Sequence, residues 1–213
     1  DNTDWNHDPN FIDPLKNPEI EAYTYCVSFE DDFIMVDNHR YLANVLVTDS
    51  VFLKLMDYPV ISGIKSIQKP DDVIITRKYV RHLFGDEDPL GKQLTSSVGT
   101  TLTIRGIIDE PSTKSSLSFD LIAPVDQGEY VSWSRMGFCI VRLTNGTDVT
   151  KYNEKISKPQ SLFCFGSSPI QYKLLPLKEL YFNKTVRSTS AAFMRGNKDH
   201  VTVLSVVALS LIH

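Results

Sequence analysis

The chain has 213 residues, 42% hydrophobic and 23% charged, which is enough to bury a core without staples and to form one domain or two small ones. Its 22 basic and 26 acidic side chains are spread along the sequence and leave a net charge of −4. That balance gives no basic footprint for a phosphate backbone, so no nucleic-acid partner is expected.

The chain begins at Asp1 with neither a Met nor an apolar leader, and it reads as cut from something longer. Asn10 to Ala22 is punctuated by Pro14 and Pro18, which allow only a short helix or turn. From Tyr23 to Val47, aromatic and β-branched residues recur in TYCVSF, DFIMV and YLANVLV. The polar groups EDD and DNHR separate them, which predicts two or three strands joined by tight turns. Asp49 or Ser50 then caps a short buried helix over VFLKLMDY, with Val51, Phe52, Leu55 and Met56 at helical spacing.

A second unit follows. Val73 to Thr76 is a short buried strand, and Thr76 caps a helix with Tyr79, Val80, Leu83 and Phe84 on one face and Gly85 at its end. KQLTSS and TTLTIRGII alternate like a hairpin whose loop is SSVG. DEPSTKSS is a polar loop and SFDLIAPV a further strand. Phe138 to Thr144 is a strand ending in the turn pair Asn145 and Gly146, DVTKYNEKISK a polar-faced helix, and QYKLLPL a last strand.

The end of the chain has its own signature. Val201 to Ile212 reads VTVLSVVALSLI, twelve residues without a charge, after the polar collar Arg195 to His200. A spanning helix needs roughly 20 apolar residues, so this run reads as the first part of a membrane helix with its collar at the surface. The alternative is a C-terminal core helix or strand. Of the cysteines Cys26, Cys139 and Cys164, none has CxxC or metal-ligand spacing, and their odd number permits at most one internal disulfide. Cys139 and Cys164 are the candidate pair; the alternative is that they are buried thiols acting as small hydrophobes.

No pattern specifies catalysis, a cofactor or a metal. GDEDPLGK (Gly85 to Lys92) has five residues between its glycines where a phosphate loop has four, Gln93 where that loop has Ser or Thr, and three acids that repel phosphate. His82 with Asp86 and Asp88, and His7 with Asp4 and Asp8, are read as solvated charges rather than metal ligands. Gly166 to Ser168 runs into Pro169 and lacks the strand-to-helix elbow of a serine hydrolase. Asp31 and Asp32, like Asp109 and Glu110, are in turn-like contexts where carboxylates are normally solvated. The triplets at Asn145 and Asn183 match glycosylation acceptors by a pattern common enough to imply nothing.

The succession VTDSVFLKLMDYPVISG, DDVIITRKYVRHLFGDEDPLGKQLT and TLTIRGIIDEPSTKSSLSFDLIAPV resembles the periplasmic core domain of MacB-like and FtsX-like ABC-transporter permeases. The most specific elements are the LFG, acidic spacer and DPLGK series (Leu83 to Lys92) and the V-x-G-I/V-x-D pattern met at Ile104 to Asp109. The DEP loop and SFD segment look most like versions from the Bacteroides group. The resemblance implies an α+β fold of two lobes. One is a membrane-proximal α/β lobe from both chain ends (1–44 and 126–200). The other is an inserted mostly-β lobe (45–125), and 201–213 start a transmembrane helix.

It further implies an extracytoplasmic, non-enzymatic domain, anchored by flanking membrane helices, that transmits ATP-driven motion to a substrate or partner. The implied partners are a separate cytoplasmic ATPase, a second permease copy, and a periplasmic adaptor or substrate protein, with the isolated domain a monomer. The alternative is a sensory or regulatory ectodomain, such as an FtsX-like controller of a cell-wall hydrolase. A force transmitter is expected to expose an apolar or aromatic surface far from the membrane, a sensor to hold a closed apolar cavity. Trp133, Tyr130 and Phe163 are the candidate exposed aromatics, with the core as their alternative home.

Overall fold

The computed structural model describes residues 14–109, 117–124, 138–157 and 173–180. After a turn at 14–19, β1 (Ile20–Val36) runs for 17 residues and returns as β2 (His39–Thr48). The EDD group does not break β1 in two. It forms a bulge between Phe29 and Asp32, with Asp31 at φ 49°, where the ladder slips and resumes. The true turn is Asp37 and Asn38, both at positive φ, which two-residue hairpins require and Asn and Asp tolerate.

The remaining strands are β3 (Val60–Gly63), β4 (Asp72–Thr76), β5 (Gln93–Ser96), β6 (Thr101–Ile108), β7 (Leu121–Pro124) and β8 (Phe138–Leu143). They form one sheet in the order β2-β7-β4-β6-β5-β1-β8, with β3 added beside β6. Because β1 also pairs with β2, the strands β2, β7, β4, β6, β5 and β1 close into a ring. Within it β2–β7 and β4–β6 are parallel and the other pairings antiparallel.

The ring explains the long apolar runs. Its inside is filled by Val27, Ile34, Val45, Val73, Ile75, Leu94, Leu102, Ile104 and Leu121. The helix α2 (Arg77–Phe84) contributes Tyr79 and Val80 to the same cluster, with Leu83 and Phe84 packed against it. Thr76 caps this helix by accepting from the Tyr79 N–H, and Gly85 ends it at φ 61°. The opposite faces of the same strands present Cys26, Leu46, Ile74, Ile108 and Ile122 to a second cluster. Phe52 of α1 (Phe52–Leu55) closes that cluster. This helix is shorter than the spacing of VFLKLMDY predicts: the chain leaves helical geometry at Met56, and Pro59 forces Tyr58 toward an extended form.

A third cluster lies at the start of β1. The helix α3 (Val149–Ile156), capped by Asp148, lays Tyr152 and Ile156 against Ile20, with Tyr23, Cys139, Val141, Leu143 and Leu174 around them. Lys173–Pro176, expected as part of a last strand, carries no strand; Leu177–Leu180 form a helical turn, α4, after Pro176. The predicted hairpin β5–β6 and strands β4, β7 and β8 stand where the sequence puts them, and the mixed α and β content agrees with the expected class. The position between Asn44 and Val45 lies inside β2.

Candidate functional site

β1 joins two ends of the molecule. At its start, Thr144 N–H donates to Glu19 O at 2.9 Å, Lys155 Nζ reaches Glu19 Oε1 at 2.9 Å, and Asn153 exchanges hydrogen bonds with the backbone of Leu174 at 2.7 and 3.2 Å. The described segments nearest the two chain termini therefore gather here, with α3. At its other end β1 turns at Asp37 and Asn38. A strand rises about 3.3 Å per residue, so the two ends of β1 are roughly 50 Å apart along the strand.

Midway, where β1 has β8 on one side and β2 on the other, a buried polar knot fixes the joint. Thr24 Oγ1 donates to Asp49 Oδ1 at 2.9 Å and is 2.9 Å from Thr48 Oγ1, which itself donates to Tyr25 O at 2.9 Å. The Val51 N–H also donates to Asp49 Oδ1, at 2.8 Å, so Asp49 ties β1 to the entry of α1. Cys26 Sγ is 3.3 Å from Thr48 Oγ1, and burial pushes its thiol pKa up to about 12, so it is an inert core group. Arg142 Nη2 of β8 donates to Leu55 O at 2.9 Å and adds a second tie across the joint.

The far end has a different surface. Beyond the bulge, Phe33 lies directly opposite Leu42 and Met35 opposite Arg40, while Ile34 and Tyr41 face the ring. The Arg40 guanidinium carbon sits 3.6 Å above the Phe33 ring centroid, and Leu42 is 65% exposed. No carboxylate among the described residues pairs with Arg40. At the edge of β2 here the Tyr79 hydroxyl of α2 donates to Leu42 O at 2.6 Å. Burial, with the Asp120 carboxylate nearby, raises that phenol well above its ordinary value and keeps it a donor.

The chemical candidates occupy structural roles. Gly85 ends α2, the Asp88 carboxylate accepts from Leu90 N–H at 3.0 Å, and Lys92 pairs with Glu87, which holds that carboxyl below its ordinary value. His82 lies between Tyr41 and Tyr79, at ring-centroid distances of 5.9 and 5.7 Å. Among the described residues no three His, Cys, Asp or Glu side chains converge. Asp32 packs in the bulge and accepts from Phe33 N–H at 2.8 Å, and Asp109 pairs with Arg77 at 3.2 Å. Asn145 and Gly146 form the turn after β8. His7, Asp4, Asp8, Glu110, Trp133, Tyr130, Phe163, Cys164, Gly166 to Ser168 and Asn183 lie outside the described residues, as do Arg195 to His200 and the apolar run after it.

The patch at Phe33, Met35, Arg40 and Leu42 is absent from the expectations above. Its signal was present in the sequence: Phe33 and Met35 share a parity opposite to Ile34 and Val36, but FIMV reads as one buried run when the second face is not tracked.

The fold has known counterparts. The periplasmic region of MacB from Actinobacillus actinomycetemcomitans aligns at a TM-score of 0.58 and 16% identity, covering 70% of this chain and 70% of that one. A domain ascribed to a permease protein of Porphyromonas gingivalis aligns at 0.55 and 20%, over 67% and 70%. The extracellular domain of the noncanonic ABC-type transporter YknZ from Gram-positive bacteria aligns at 0.54 and 14%, over 68% and 77%. A search among curated proteins matched none. Residues 5–158 match the MacB-like periplasmic core domain, and the chain belongs to that family, the periplasmic domains of MacB-like ABC-transporter permeases.

Proposed function

We propose that this domain is a mechanical element: it carries ATP-driven motion of flanking membrane helices to a substrate or periplasmic partner, and performs no covalent chemistry itself. The observation that carries the reading is β1. One strand runs from the cluster where the described segments nearest the termini meet to a hairpin whose outer face exposes Leu42 and the Arg40–Phe33 pair. β1 pairs with β8 from Ile20 to Cys26 and with β2 from Cys26 to Val36, and the ties at Thr24, Thr48 and Asp49 lie where one partner gives way to the other, so the strand moves with its sheet.

The expected division into a membrane-proximal lobe (1–44 and 126–200) and an inserted lobe (45–125) belongs to this proposal with the outer hairpin reassigned: Ile34, Val36 and Ala43 pack inside the ring with the inserted lobe, apart from the cluster around Ile20, Tyr152 and Ile156. So does anchoring by membrane helices, the run at 201–212 beginning one of them. In the working transporter a cytoplasmic ATPase supplies the stroke, a second permease copy faces this one, and an adaptor or substrate protein meets the hairpin.

The test is made in the full transporter reconstituted with its ATPase, using spin labels at Asn38→Cys and at Lys151→Cys with Cys139 and Cys164 replaced by serine. The Asn38–Asn38 distance between two permease copies is expected to change on ATP addition, while the Asn38–Lys151 distance within one chain stays constant. A hairpin that does not move between ATP-free and ATP-bound states overturns the mechanical reading.

A further inference from the structure

We infer that the outward face of the β1–β2 hairpin docks a protein segment presenting a carboxylate beside a bulky apolar side chain. This deepens the proposal above and rests on it for the direction in which the hairpin points. Four side chains make the surface, and the strand register brings them together. Phe33 is paired with Leu42, Met35 with Arg40, and the Arg40 guanidinium stacks on Phe33 at 3.6 Å.

The stacking is what makes this face a receptor rather than a stray apolar spot. A guanidinium lying on a ring is held in one orientation and keeps its N–H edge free, and that edge fits a carboxylate with two parallel hydrogen bonds. The described residues leave that edge without an acid. Beside it Leu42, 65% exposed, and half-buried Met35 offer apolar area and an adaptable thioether to an aliphatic or aromatic anchor. Arginine with aromatic and aliphatic neighbours is the composition that concentrates binding energy at protein interfaces.

Charge also selects among occupants. A second copy meeting this face across a two-fold axis at its centre would bring Arg40 against Arg40, and the four side chains of the face include no acid to separate them. An anionic lipid surface is disfavoured by the exposed acids that flank the patch, Glu30 and Asp31 at the bulge and Asp37 at the turn. The same acids give the rim a preference for a partner segment with basic residues outside its central carboxylate.

The probe is a library of random linear peptides displayed on phage, panned against the chain. Enriched peptides are expected to share Asp or Glu next to a bulky apolar residue. They should bind at least about tenfold more weakly to Arg40→Glu and to Leu42→Asp, and equally well to Lys78→Glu on α2. Arg40→Gln, which keeps the side-chain stem, shows the same loss if the charge pairs with the peptide. Thermal melts of all four variants check that they fold. No enrichment, enrichment without a carboxylate, or full binding by Arg40→Glu overturns the proposal. So does dimerisation of the chain that Leu42→Asp abolishes, which would assign the face to a second copy. None of these outcomes touches the label distances that test the mechanical reading.

Discussion

Strand β4 and the outer part of the β1–β2 hairpin belong to one sheet but bury different amounts of themselves. Every residue of β4 is buried: Val73 and Ile75 point into the ring, Ile74 into the cluster closed by α1, and Asp72 accepts the Gln68 and Lys69 N–H groups at 3.1 and 2.9 Å. Past the bulge, the hairpin buries only Ile34, Val36 and Ala43, and leaves Phe33, Met35, Arg40 and Leu42 toward solvent. The centre is therefore specified by packing on two faces. The hairpin is specified by one face and by its turn, and the described residues leave its other face uncovered.

The sharpest way to break this contrast is truncation on each side of it. Ile74→Ala is expected to cost about 2–5 kcal/mol, because a fully buried side chain is lost between two layers that cannot both collapse onto the cavity. Leu42→Ala is expected to stay within about 0.5 kcal/mol, since its side chain is mostly in water already. Urea unfolding of both variants decides it. Equal losses would mean that the outer face of the hairpin is covered in the folded chain.

A smaller effect separates backbone packing from side-chain packing. Gly63 sits at φ 80° where β3 crosses β6, and a Cβ there would lie 1.9 Å from the Arg105 carbonyl oxygen. Gly63→Ala must both adopt a left-handed conformation and push β3 off its partner, and about 1–3 kcal/mol of destabilisation is expected. Faster amide exchange should appear at Ile64, whose N–H donates to Arg105 O at 2.9 Å. Unchanged exchange there would show that β3 yields without loosening the ring.

Legibility in the sequence followed the same division. The strand at Val73 to Thr76, its capped helix, the β5–β6 hairpin and the helix at 149–156 were readable because a cap, a glycine stop or a turn bounds each one locally. The EDD group misled because acidic residues mark turns by composition, whereas here one positive-φ residue absorbs the slip and the strand continues. The closure of the ring depends on β1 pairing with β2, β5 and β8 along different stretches, and nothing local encodes pairing between residues so far apart. The Arg40–Phe33 surface was legible in part: the parity of Phe33 and Met35 stands in the sequence, but their pairing with Leu42 and Arg40 exists only once the register of the two strands is fixed.

The smallest expected effect concerns the joint between the described chain-end segments. The hydrogen bond from Lys155 holds the Glu19 carboxyl below its ordinary value of 4.5. A depressed folded-state value means that the carboxylate stabilises the fold above about pH 4.5 and that this contribution is lost as pH falls through the folded value. Both side chains are partly exposed, so solvent screens the pair, and Glu19→Gln should cost only about 0.5 kcal/mol at neutral pH and low salt. The difference from the unsubstituted chain should shrink to nothing in acid and in high salt, as read from urea midpoints across pH. A deficit that persists in acid would show that Glu19 acts through packing or its neighbouring backbone bonds rather than charge. The first turn and α3 would then be joined by contacts that no change of pH or salt can loosen.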